Sequence, residues 1–100
     1  MGKMVGKQSM RFETRPVIVS EGSVVGPKEG AGPLGHCFDT VWKDEKNGAQ
    51  SWGKAESQLV QQSLMAAMEK AGLCKKQVRY LVAGDLLNQL TATHFGVREF

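Results

Sequence analysis

From Ser51 to Ala71 apolar side chains recur at helical spacing. Trp52, Ala55, Leu59, Val60, Leu64, Ala67 and Ala71 fall on one side, and Lys54, Glu56, Gln58, Gln61, Gln62 and Glu69 fill the other. A period near 3.6 predicts an amphipathic helix with its apolar stripe turned to a core. Ser51 offers a hydroxyl to the unpaired amides of the first turn, and Gly72 stands where a left-handed residue ends a helix. Two shorter runs have strand character. "PVIV" (Pro16–Val19) and the stretch Val78–Ala83 are rich in β-branched and aromatic residues. Pro16 is tolerated at a strand's first position, and the first run reads as buried on both faces. The second run ends at Gly84-Asp85, a pair suited to a tight turn, and Leu90–Phe100 is weakly helical through Leu90, Thr93, His94 and Val97.

Between the first strand and the long helix, residues 20–50 form a glycine- and proline-rich loop region, with a turn signal at Asn47-Gly48. The order strand, loop, helix, strand, helix predicts an α/β layered fold. Its two strands would run parallel, joined by a right-handed crossover through the helix. Two strands alone do not make a stable buried parallel sheet, because such sheets need cover on both faces. The pattern therefore reads as one incomplete domain over residues 1–100, the beginning of something larger.

Composition narrows the function classes. The chain is 41% hydrophobic and 23% charged, the balance of an ordinary globular sequence. Thirteen basic residues against ten acidic give a net charge of only +3, too little for a broad nucleic-acid-binding surface. Residues 1–15 form a basic lead-in in which Lys3, Lys7, Arg11 and Arg15 recur every fourth position. Gly2, Gly6 and the strand-like sequence that follows oppose a helix there, so these charges read as solvated. No apolar run approaches the length of a membrane span, and the N-terminus lacks the apolar segment of a secretory signal. Cys37 and Cys74 are far apart and unpaired by any short motif, which suits free thiols in a reducing compartment.

"GAGPLGH" (Gly30–His36) fits the G-x-G-x-x-G template of phosphate-binding loops. Its context does not fit. Loop sequence precedes it, Pro33 removes an amide from its middle, and His36-Cys37 stands where a phosphate-binding loop needs Lys-Ser/Thr. No nucleotide cofactor is expected. His36, Cys37 and Asp39 are close in sequence, but nothing later in the chain has zinc-site spacing, so no metal site is expected either.

The wider text around that loop carries more. "GPKEGAGPLGHCFD" (Gly26–Asp39), Trp52-Gly53-Lys54-Ala55-Glu56 at the helix start and "LVAGDLLNQLTATHFGVR" (Leu81–Arg98) resemble the stage V sporulation protein AD family, in the same order and with similar spacing. The resemblance implies a thiolase-like fold of duplicated α/β halves, with this chain as the N-terminal part of the first half. It also implies a non-enzymatic protein that binds dipicolinic acid, free or as its calcium chelate, during uptake into the spore and release at germination. It places such a protein peripherally at the inner membrane of the forespore and spore, beside membrane-embedded stage V sporulation proteins. A homodimer of the full-length protein is compatible with it.

In that family the Asp of "AGDLLNQ" belongs to the ligand site, and it corresponds to Asp85. The cysteine in the position of the thiolase nucleophile is expected beyond Phe100, and neither Cys37 nor Cys74 stands in for it. A carboxylate beside a dianion is repulsive by roughly a kcal/mol or more at close range. Asp85 would therefore act through calcium, by holding a donor in place, or as a protonated acid. Read from its neighbours alone, it is a turn aspartate bonding its own backbone. Two other functions compete: an acyl-transferring condensing enzyme, whose machinery these residues do not show, and a partner-binding fragment using the apolar face of the long helix.

Overall fold

The computed structural model describes residues 2–86, 90–98 and 100. It opens with an antiparallel hairpin of β1 (Gly2–Val5) and β2 (Ser9–Phe12), turning at Gly6 with φ 69°. The residues read as a basic lead-in hold an exposed two-stranded ribbon that the patterning did not predict. A second, two-residue-deep pairing joins β3 (Val24–Val25) and β4 (Thr40–Val41) in parallel. Between them lie a single helical turn, α1 (Pro27–Gly30), and a 3₁₀ turn, Gly35–Cys37. The long helix α2 (Trp52–Ala71) follows, then a 3₁₀ turn at Lys75–Gln77 and the short α3 (Thr91–Val97). The architecture is α/β, as the patterning predicts, with small sheets and three helices among the described residues.

Helix α2 ends where the sequence says it should. The Ser51 hydroxyl accepts from the Lys54 amide at 3.2 Å. Gly72 adopts φ 67°, while Gly72 and Leu73 donate to Glu69 and Met68 carbonyls at 3.1 and 3.0 Å. These two bonds form the left-handed stop that glycine makes possible. Helix α3 packs on the first half of α2 through Gly96, where a Cβ would stand 2.8 Å from Val60 Cβ and 2.9 Å from the Ser57 carbonyl. Trp42, Ala55 and Ala92 are the buried apolar side chains among the described residues. Trp42 donates its indole N–H to Gln62 Oε1 at 2.9 Å, so its one polar atom is satisfied inside.

The parallel pairing lies elsewhere than expected. Pro16–Val19 and Val78–Ala83 form no ladder, and both are exposed. The extended preference of these residues is local, but a strand exists only with a hydrogen-bonded neighbour. The observed ladder instead arises inside the supposed loop region, where Ser23 and Asp39 fasten its start: Ser23 N and Oγ donate to Asp39 Oδ2 at 2.9 and 3.4 Å, and Asp39 N donates to Ser23 Oγ at 3.0 Å. Trp52 also departs from its expected place in the core. Half exposed, it carries the Lys46 ammonium 4.7 Å above its ring.

Candidate functional site

Asp85 precedes α3 and is half-buried, with both carboxylate oxygens occupied. Oδ1 accepts from the Leu90 amide at 2.8 Å and Oδ2 from the Thr93 amide at 2.7 Å. The first turn of a helix has amides with no intrahelical acceptor, and a carboxylate is their best partner. The same contacts fix Leu90 at φ 70°, a left-handed conformation that costs a non-glycine residue about 1–2 kcal/mol. The Thr93 amide foremost holds the Asp85 carboxyl below its ordinary value against the opposing effect of burial, and the Leu90 amide adds a smaller share. Asp85 is therefore an anion at neutral pH, not a donor. The remainder of "DLLNQ", residues 87–89, lies outside the described residues.

The glycine loop uses its amides on itself. Gly32, Gly35 and Cys37 donate to the carbonyls of Glu29, Gly32 and Leu34 at 3.0, 3.1 and 2.9 Å. Gly35 approaches Gly30 so closely that any Cβ there would collide with the Gly30 carbonyl oxygen. The three glycines make a knot of turns, with no ring of free amides of the kind that cradles a phosphate.

His36 Nε2 and Cys37 Sγ lie 3.5 Å apart at the surface. Asp39 faces another way, toward Lys70, whose ammonium bridges it and Glu21 at 2.6 Å each. That bridge, with the Ser23 bonds, ties the loop to the last turn of α2. It holds the Asp39 carboxyl below its ordinary range, through Lys70 foremost and the Ser23 amide next, and raises Lys70 in turn. Among the described residues, no three His, Cys, Asp or Glu side chains gather as metal ligands would.

A cleft of about 690 Å³ opens between the first turns of α2 and the end of α3, with Lys54 and Arg98 on its walls and Phe95 beneath the Arg98 guanidinium, 5.3 Å from ring centre. Sequence reasoning passed over it, because only the packing of α3 on α2 brings these side chains together. Asp85 does not line it.

The sequence profile of Stage V sporulation protein AD (SpoVAD) matches residues 6–100. The chain belongs to the SpoVAD family. Stage V sporulation protein AD of Bacillus subtilis (strain 168) is 38% identical over 96 residues, which is 96% of this chain and 28% of that protein. The chain thus spans under a third of the curated relative's length. Membership in the SpoVAD family gives it a sporulation-related role. The SpoVAD match takes in the glycine loop, the α2 cap and Asp85, and begins within the hairpin turn, after β1.

Proposed function

We propose that this chain forms part of a dipicolinic acid-binding protein of thiolase-like fold, acting in the movement of calcium dipicolinate into and out of the spore. In this reading it binds and does not catalyse. It works peripherally at the inner spore membrane, alongside membrane-embedded sporulation proteins; no helix among the described residues is long and apolar enough to cross a membrane. What supports the reading is family membership together with the geometry of Asp85. A charged carboxylate does not attract a dianion, so Asp85 serves as a positioning residue. It fixes Leu90 and the start of α3, and in this reading the backbone that borders the ligand.

The test is calorimetric titration of dipicolinate into a family polypeptide of full length that carries these residues. Asp85→Ala should weaken binding at least tenfold, because two amides lose their acceptor and the Leu90 turn relaxes. Asp85→Asn, which keeps one acceptor oxygen, should recover part of the loss. An affinity unchanged in Asp85→Ala would remove Asp85 from the site. Residues 1–100 alone should bind dipicolinate weakly or not at all, since a thiolase-like pocket is assembled from both halves. Saturable micromolar binding by the 100-residue chain would refute that assembly.

A further inference from the structure

Four of the thirteen basic residues, Lys3, Lys7, Arg11 and Arg15, lie in the first fifteen positions against one of the ten acidic residues, Glu13. The remaining positions carry nine of each sign and cancel, so the whole net charge of +3 belongs to the hairpin and its exit. The register divides this ribbon into two faces. Residues opposite each other in an antiparallel ladder share a face, and successive residues alternate. Gly2↔Phe12 and Met4↔Met10 make one face; Lys3↔Arg11 and Val5↔Ser9 make the other. Met10 folds over the bare Gly2, whose Cβ, if it had one, would meet Met10 Cγ at 2.6 Å.

Among the described residues, nothing covers the apolar face. Met4, Met10 and Phe12 are 61%, 56% and 48% exposed, and no other element packs on the hairpin appreciably. Among the described residues, none of its Lys or Arg side chains forms an ion pair.

We propose that the hairpin docks on an anionic lipid surface. Met4, Met10 and Phe12 settle at the headgroup–acyl boundary, and Lys3, Lys7, Arg11 and Arg15 engage the lipid phosphates. Apolar groups on one face with Lys and Arg on the other is the division that seats interfacial amphipathic segments. The headgroup layer is about 6 Å deep on each side, within reach of long basic side chains from the upper face of a ribbon lying in it. An acidic protein would cover one face and leave the other in water, whereas the lipid interface uses both. The inference is independent of the dipicolinate reading. A peripheral location held by membrane-embedded proteins alone would survive its failure.

The test is co-sedimentation of the full chain with vesicles of phosphatidylglycerol and phosphatidylcholine, against phosphatidylcholine alone, at low and high salt. Binding should require phosphatidylglycerol and weaken with salt. The triple variant K3Q/K7Q/R11Q should lose roughly 100-fold in partitioning, at about fivefold per basic side chain. Phe12→Ser should lose roughly tenfold. Both variants should keep the helical circular dichroism of the parent, since the altered side chains support no other element. Equal binding to both vesicle types overturns the proposal. So does binding that survives the triple variant, which would arise from other exposed apolar segments. Insensitivity to Phe12→Ser, with equal capture by immobilised polyglutamate, would overturn it in favour of an acidic protein partner.

Discussion

Lys70 is the residue on which the loop and the long helix depend together, because its one ammonium holds two carboxylates, Glu21 and Asp39. Asp39 titrates below its ordinary value of 3.8, so its contribution to stability is fully present above that value. It is lost only as pH falls through the lower folded value. Asp85 behaves in the same direction, through its backbone amides. Lys70 is raised from its ordinary value of 10.5, so its contribution is complete below that value and is lost as pH rises through the higher folded one. The clamp is therefore intact across the neutral range and is lost toward either extreme, through Asp39 in acid and Lys70 in alkali. Replacing Lys70 with Met should return the Asp39 carboxyl toward 3.8 and leave Asp85 where it is. Carboxyl carbon NMR through an acid titration reads both at once. An Asp39 titration that does not move would assign its shift to the Ser23 bonds alone.

At the scale of elements, the joint between α2 and α3 is set by a missing side chain. Gly96→Ala would push a methyl carbon into Val60 and the Ser57 carbonyl, both under 3 Å away. One of these is backbone and does not yield. The substitution should destabilise the chain by about 1–3 kcal/mol and detach α3 first. Urea unfolding would give the first number, and hydrogen exchange at the α3 amides the second; equal protection in both proteins would mean that α3 does not lean on Val60. This joint also marks the limit of what the sequence reveals. Helix α2 was legible because its signals are local: a serine hydroxyl three residues from the amide it caps, a glycine that turns left, and an apolar stripe. The bonds of Asp85 were not, since its acceptors meet amides five and eight residues further on and not its own turn. The β3–β4 pairing was not, since two valines become a strand only when Ser23 and Asp39 bring Thr40 and Val41 beside them. Pro16–Val19 and Val78–Ala83 failed in the opposite way. They are rich in strand formers, but no neighbour among the described residues completes a ladder.

Those two segments govern the molecule as a whole. A compact chain of this mass would expose about 5,600 Å², yet this one exposes 8223 Å². Its radius of gyration is 15.9 Å, against about 13 Å for a compact domain of this length. Large apolar side chains contribute to the excess, with Ile18 and Val82 93% and 96% exposed. Unpaired backbone bearing β-branched side chains can serve as a template for another strand. The relative's chain is more than three times as long, so the family offers further sequence from which such a strand could come. The isolated chain should therefore associate reversibly as concentration rises and should bind an apolar dye. A family polypeptide of full length should do neither through these residues. Ile18→Lys and Val82→Lys together place a charge on each open edge and should shift the association to higher concentration without changing α2, since neither side chain is buried. Sedimentation velocity over a concentration series, with circular dichroism on the same samples, separates this from irreversible aggregation, which dilution does not undo. A monomer at every concentration, with no dye bound, would mean that the two segments find their cover within the chain itself and pair in solution.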